Sequence, residues 1–215
     1  MKFDSSIKPV PENSLRRLTR YHHYLKNFTT ADTQYISCTK IAVELNLVPI
    51  QVRKDIEMTG MSGRPKVGYE ITQLMKAIEV VLGWDNIEEA FLVGAGSLGR
   101  AMLGYQGFAE YGPKIIAAFD HDQSKVGTKI NKVSVLDIRK LPSMTKRMQV
   151  KIGIITVPAE AAQTVAEIMV DAGIKAIWNF SPAQLSLPGD IIVQNENLIA
   201  SFSIIAKKLA AKMNS

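Results

Sequence analysis

Gly94-Ala95-Gly96-Ser97-Leu98-Gly99 follows the apolar run Ala90-Phe91-Leu92-Val93 and opens onto Arg100-Ala101-Met102-Leu103. An apolar strand, a G-x-G-x-x-G turn and a helix begin a dinucleotide-binding unit. Gly94 permits the tight bend. Gly96 lets backbone N–H groups approach a pyrophosphate, and Gly99 lets the helix pack closely on the strand. The partial positive charge of the helix N-terminus, at Ser97 and Leu98, favours the same anion. The bare motif recurs by chance, so its setting between strand and helix carries the weight. A second strand ends at Ala118-Phe119-Asp120, and Asp120 lies 21 residues past Gly99. A carboxylate at that distance suits the adenosine ribose hydroxyls and repels a 2′-phosphate, which favours NAD over NADP. His121 and Lys125 soften this preference, because cations accommodate a phosphate.

Downstream, short apolar runs alternate with helical segments. Strands fit 90–93, 115–119, 152–157, 176–180 and 191–193. Helices fit near 98–110, 124–126, 135–140, 159–172 and 183–185. This alternation implies a doubly wound, mainly parallel sheet. Thr156-Val157-Pro158 ends the strand beside the glycine turn, where ligands cross the carboxyl ends of strands. Asn179-Phe180-Ser181-Pro182 ends the next strand and borders the expected nicotinamide position. Tyr105 and Phe108 are either core aromatics or pocket walls, and spacing alone favours the core. Leu198 to Met213 forms a last helix with Leu198, Phe202, Ile205 and Leu209 on one side. No strand follows it, and such a terminal apolar helix often packs on a partner subunit.

About ninety residues precede the glycine turn. Residues 11–27 read as a helix, with Leu15, Leu18, Tyr21, His22 and Leu25 on one face and Arg16, Arg17 and Arg20 largely off it. Phe28 to Gln34 reads as a loop. Ser37 is a fair N-cap for a helix carrying Ile41, Ala42 and Leu45. Asn46-Leu47-Val48 turns the chain into a second helix from about Pro49 to Met58. That helix buries Val52 and Ile56 and exposes Gln51, Arg53, Lys54 and Asp55. Two short helices across a tight turn make a helix-turn-helix. The glycine- and cation-rich stretch from Gly60 to Tyr69 suits a hairpin wing. The pattern is a winged helix, followed by an amphipathic helix over 70–83 and a junction at Gly83-Trp84-Asp85-Asn86. Gln51, Arg53 and Lys54 suit base edges or phosphates in the major groove. Arg64 and Lys66 suit phosphates or the minor groove. Arg16 and Arg17 suit phosphate or an inter-domain ion pair.

Composition agrees with an anionic partner. The chain of 215 residues carries a net charge of +6. Residues 10–66 hold nine Lys/Arg and five Asp/Glu, or +4 of that excess. No apolar stretch is long enough to span a bilayer, and residues 1–13 lack a signal-like apolar run, so a cytoplasmic protein is expected. The single cysteine, Cys38, excludes an intramolecular disulfide and a cysteine-based zinc site. It reads either as a small half-buried residue or as a thiol switch without a resolving partner. Only three histidines are present, His22, His23 and His121, and none follows residue 150. A hydride-transfer enzyme normally needs an acid/base beside the nicotinamide. The second domain is large enough for a cofactor fold alone. These absences argue against catalysis. An NAD-dependent oxidoreductase with a dimerising N-terminal domain, and a coenzyme-A-type module fused to a DNA reader, remain as rivals.

Pro11, Arg16-Arg17-Leu18, Tyr21 and Tyr24-Leu25 resemble the first helix of the Rex family of redox-sensing bacterial transcriptional repressors. Gln51-Val52-Arg53-Lys54-Asp55 is similar to that family's recognition helix. The glycine motif with Tyr105, Gly107 and Phe108, then Ala118-Phe119-Asp120, Lys125-Val126-Gly127, Ile155 to Ala159 and Asn179-Phe180, follow in family order. The resemblance runs from about Val10 to Leu209. It implies an α/β chain: an N-terminal winged-helix domain (1–83), a doubly wound Rossmann-type NAD(H)-binding domain (84–195) and a C-terminal dimerisation helix (196–215) swapped between subunits. It also implies a homodimer on palindromic operators, DNA-bound with NAD+ and released by NADH. Two positions depart from the family. Met58 and Met61 stand where aromatics are usual. Asn197 stands where an aspartate usually pairs with a first-helix arginine; Glu196, next to it, would project differently.

Overall fold

The computed structural model describes residues 10–28, 34–84, 89–105, 107–108 and 112–213. Parts of the expected 28–34 loop, of the 83–86 junction and of the 98–110 helix lie outside these residues. The chain divides into two compact units, Met1–Asn86 and Ile87–Ser215.

In the first unit, α1 (Glu12–Lys26), β1 (Tyr35–Ile36), α2 (Cys38–Leu45), α3 (Pro49–Glu57), β2 (Tyr69–Glu70) and α4 (Ile71–Leu82) follow in order. The apolar faces of the four helices meet in one core, with Leu18, Tyr21, Ile41, Val52, Leu74 and Ile78 fully enclosed. Ser37 caps α2, its Oγ accepting from Lys40 N at 3.1 Å. Asn46 ends that helix at φ 53°, a left-handed conformation asparagine tolerates. Pro49 starts α3, where the missing N–H has no helical partner to lose. Antiparallel pairing of β1 and β2 carries the wing. Arg64 N donates to Gly68 O at 2.8 Å, and Gly68 N returns a bond to Arg64 O at 2.9 Å. Lys66 stands at the hairpin tip with φ 62°.

The second unit contains β3 (Glu89–Val93), α5 (Ser97–Gly104), β4 (Lys114–Asp120), β5 (Lys129–Ile130), β6 (Val133–Asp137), α6 (Leu141–Met148), β7 (Ile152–Ile155), α7 (Ala159–Asp171), β8 (Ala176–Asn179), β9 (Ile192–Asn195) and α8 (Leu198–Met213). The sheet order is β5-β6-β4-β3-β7-β8-β9, and every pairing from β6 to β9 is parallel. This is the doubly wound order, with its reversal between β3 and β7. Alternation along β3 feeds both faces. Phe91 and Val93 pack under α7, while Ala90 and Leu92 pack with Met102 and Leu103 of α5.

Three local expectations are corrected. Residues 135–140 are not a helix but the end of β6 and a 3-10 turn, Ile138–Lys140. The helix begins at Leu141, with Pro142 in its first turn. The apolar run Val133 to Ile138 suits either element by period, and its β-branched valines decide for strand. Residues 124–126 form turns, and 183–185 lack helix. The antiparallel strand β5 was not anticipated.

Candidate functional site

The reversal between β3 and β7 places the glycine turn beside the start of α7. Gly94 takes φ +105°, and a Cβ there would meet Thr156 C at 2.8 Å and Val157 Cγ1 at 2.9 Å. A Cβ on Gly99 would overlap Gly94 O. Gly96 differs: a Cβ there meets nothing within 4 Å, so no protein atom requires glycine, and the space in front of it is open. Thr156 Oγ1 locks the turn by donating to Gly94 O at 2.7 Å. In front lies a cavity of about 450 Å³ that includes Gly96, Asp120, His121, Lys125, Thr156 and Pro158. Ala161, Thr164 and Ile168 of α7 and Ile138 complete an apolar wall. Sequence reasoning missed these four, because nothing local marks a helix face as a pocket wall. Ala95, Ser97, Leu98 and Val157 sit in the same turn-and-strand ends.

Asp120 is 4% exposed. Its Oδ2 accepts from Ala95 N at 2.8 Å and from Lys125 Nζ at 3.2 Å, and its Oδ1 accepts from Asp122 N at 3.0 Å. Burial pushes this carboxyl up, but the bonds from Asp122, Lys125 and Ala95 outweigh it and hold it below its ordinary value. Asp120 therefore braces the glycine turn, and only its remaining Oδ1 lone pair is left to accept from a ribose. Lys125 also pairs with Asp122 at 3.4 Å, so its charge is shared between two carboxylates. His121 is exposed at the rim, its Nδ1 3.5 Å from Asp120 Oδ1.

The α5 face of the sheet carries a row of aromatic rings. Tyr105 and Phe108 lie 5.2 Å apart, Phe108 and Trp178 5.7 Å, and Trp178 and Phe180 4.8 Å, by centroids. Tyr105 is exposed, whereas Phe108 and Phe180 pack against the core. Asn179, at the strand end expected to border the nicotinamide, turns its side chain inward. It is fully buried, its Nδ2 donating to Ala183 O and Asn195 Oδ1 at 2.9 Å each, its Oδ1 accepting from Ser181 N at 3.0 Å. Its polar capacity holds the strand end together.

On the first unit, Gln51, Arg53 and Lys54 line the exposed side of α3, with Arg53 Nε 3.0 Å from Glu57 Oε1. Arg64 is presented by Tyr35, whose hydroxyl accepts from Arg64 Nη1 at 2.7 Å and whose ring lies 5.2 Å beneath the guanidinium. Tyr35 was missed because it lies 29 residues away in sequence. A groove of about 710 Å³ separates α3 from the wing, with Arg53 and Arg64 on its sides and Cys38 at its edge. Burial pushes the Cys38 thiol up, away from the reactive thiolate. Arg16 is exposed and pairs with Glu12 at 2.8 Å. Two readings are corrected here. Asp55 does not share the exposed face of α3; it is 1% exposed. Arg17 turns inward to it, Nε to Oδ2 at 2.7 Å and Nη2 to Oδ1 at 2.8 Å. A guanidinium so engaged is not presented to a phosphate.

Among the described residues, no group of His, Cys, Asp and Glu could hold a metal ion, and no helix is long and apolar enough to cross a membrane. A winged helix joined to a dinucleotide-binding fold defines a ligand-responsive DNA-binding regulator. The sequence matches the family models for a putative DNA-binding protein N-terminus over residues 9–57 and for a CoA binding domain over residues 85–183. It is 45% identical to the redox-sensing transcriptional repressor Rex of Treponema denticola, covering 93% of this chain and 95% of the relative. It is 40% identical to the same-named protein of Bacteroides thetaiotaomicron, over 93% and 91%. The crystal structure of the Rex-family repressor RSP with β-NAD+ and operator DNA superposes with a TM-score of 0.88 at 32% identity, over 96% of this chain and 95% of that one. RSP with β-NADH gives 0.86, again at 32% identity, over 96% and 97%. The chain belongs to the Rex family of redox-sensing transcriptional repressors.

Proposed function

We propose that this chain represses transcription by binding a palindromic operator through its winged helix when NAD+ prevails or no cofactor is bound, and that NADH releases it. The observation that carries the reading is Gly96, open to a cavity beside a pinned glycine turn, in a chain whose α3 and wing present exposed cations. The related repressor RSP, crystallised with NAD+ and operator DNA and with NADH, supports the same pairing of ligands. NAD+ brings a positive nicotinamide and NADH a neutral one. Wherever the site excludes water, the positive ring costs more to desolvate than the neutral one, which favours NADH there.

The working molecule is a homodimer. Ile199, Phe202, Ile205 and Leu209 of α8 are 56–71% exposed, which suits a helix swapped onto a partner. Residues 1–83, 84–195 and 196–215 then act as reader, sensor and dimerisation segment, and the protein works in the cytoplasm. Closure of the two sensors around NADH moves the readers off the spacing that two half-sites require. Shifting such an equilibrium from 1:99 to 99:1 needs about 10⁴-fold differential affinity, which two cofactors share at about 10² each. The test is operator affinity measured across NADH/NAD+ ratios. A curve that does not fall as NADH rises refutes the proposal.

The sensor binds its nucleotide to report and not to transform it. Steady NADH consumption with small carbonyl substrates would instead support an oxidoreductase. Asp120→Ala should lower NADH affinity about tenfold, since it removes the acceptor of Ala95 N and the ribose partner together. Unchanged NADH affinity, with coenzyme A competing, would favour the rival module.

A further inference from the structure

The last two residues of β8 and the one that follows face different neighbours. Trp178 and Phe180 belong to the aromatic row on the α5 face. Asn179, between them, points the other way and ties to Asn195 of β9 at 2.9 Å. Beyond Asn195 the chain turns into α8, and that turn is held to β8 twice more. Glu196 N donates to Asn179 O at 2.8 Å, and Trp178 Nε1 donates to Glu196 Oε1 at 3.1 Å. Asn197 is the N-cap, its Oδ1 accepting from Ile199 N and Ala200 N at 3.1 Å each. The cap of α8 is thus neutral. The carboxylate at the root of α8 is that of Glu196, and the indole of Trp178 aims it.

We propose that Trp178 is a positioning residue, and that its bond to Glu196 couples the aromatic row to the direction in which α8 leaves the sheet. The physical reason is rigidity. Strands β8 and β9 are in register from Ala176↔Ile192 to Asn179↔Asn195, so the ladder fixes the backbone. The bond from Glu196 N to Asn179 O is the last of the ladder, and the α8 root can still swivel about the backbone bonds that follow, from Glu196 Cα through Asn197. One side-chain bond holds Glu196 at the start of that swivel, and its donor ring touches both Phe108 and Phe180. A shift of either ring as the nicotinamide changes charge moves the indole, and the N–H carries Glu196 with it. Glu196 is half-buried, and so is Trp178, so water competes for this bond only in part.

The inference rests on the NADH-release reading, and its test separates the two. Three variants are compared with the full-length parent: Trp178→Phe, which keeps a ring and loses the N–H; Glu196→Gln, which keeps an acceptor oxygen; and Glu196→Ala, which removes it. NADH affinity of the free protein is read by fluorescence titration. Coupling is read as the ratio of operator affinities without and with saturating NADH. Trp178→Phe and Glu196→Ala should bind NADH within about threefold of the parent, while the coupling ratio falls about tenfold, the size set by one hydrogen bond to a charged group. Glu196→Gln should restore most of the coupling. An unchanged ratio in Trp178→Phe overturns the proposal. So does a loss of NADH affinity that accounts for the whole change, since Trp178 would then be a pocket wall. If the parent itself shows no coupling, the repressor reading fails instead. Thermal unfolding of each variant guards against a misfolded comparison.

Discussion

Gly99→Ala is expected to reduce NADH affinity by at least ~10²-fold and to leave the operator occupied at NADH concentrations that release the parent. A Cβ at residue 99 would overlap Gly94 O. Gly94 cannot retreat. Its N donates to Phe119 O at 2.8 Å, its own φ is +105°, and Thr156 lies against it. The strain therefore falls on α5, whose first turn must slide away from β3. That movement displaces the backbone N–H groups of the turn, which are fixed donors for a pyrophosphate. Losing two charge-assisted bonds, about 1.5–3 kcal/mol each, gives the stated factor. Overpacking also costs about 1–3 kcal/mol of stability. Gly96→Ala makes the contrast. Its methyl meets no protein atom, so the fold should melt as the parent does while NADH binding is lost. Calorimetric titration with both variants distinguishes these outcomes. NADH binding by Gly99→Ala at parental affinity would show that the turn does not cradle the phosphates.

The parts of this site that were legible beforehand are those encoded by short spacing. Gly94, Gly96 and Gly99 fall within six residues, and their three tasks follow from the strand before and the helix after. The winged helix was readable for the same reason, with Ser37 and Pro49 marking helix starts. The bounds of α8, Leu198–Met213, match the expected segment, helped by its apolar period. What escaped depends on bonds between distant residues. Asp120 was placed correctly by spacing, yet its main bond, to Ala95 N, joins residues 25 apart. Spacing brings it within reach of a ribose, but spacing measures reach along the chain and not which acceptors the fold already uses. Asn179 and Arg17 meet the same limit. A polar side chain near a strand end or on a helix looks available until its partner, 16 or 38 residues away, is known. The error at 135–140 is different. There the run was too short for its period to choose between strand and helix.

Arg17→Met should cost about 3 kcal/mol of stability at neutral pH, which is a large share of what a domain of this size possesses. Met approximates the aliphatic volume of Arg17, so packing survives and the loss is electrostatic. Asp55 is left 1% exposed with Tyr21 as its strongest remaining donor, Oη to Oδ2 at 2.8 Å. In the parent, burial pushes the Asp55 carboxyl up, but bonds from Arg17, Tyr21 and Ser14 outweigh it and hold it below its ordinary value. A depressed folded pKa stabilises above the unfolded value, about 3.9, and the gain is lost as pH falls through the folded one. Removing Arg17 takes away the largest opposing bond, so the folded pKa is expected to rise above the unfolded value. That burden is present at neutral pH and disappears as protonation proceeds. The two pH dependences therefore run in opposite senses, and the stability gap should be widest near neutrality and close towards about pH 3. Urea unfolding of parent and variant between about pH 3 and 7 measures the gap directly. A gap that stays constant over this range would mean that Arg17 contributes through packing alone. The same variant bears on DNA recognition. An Arg17 that stays turned to Asp55 neutralises no phosphate. The folded Arg17→Met protein should therefore bind the operator with the same salt dependence as the parent, whereas a shallower slope would place Arg17 on the DNA backbone.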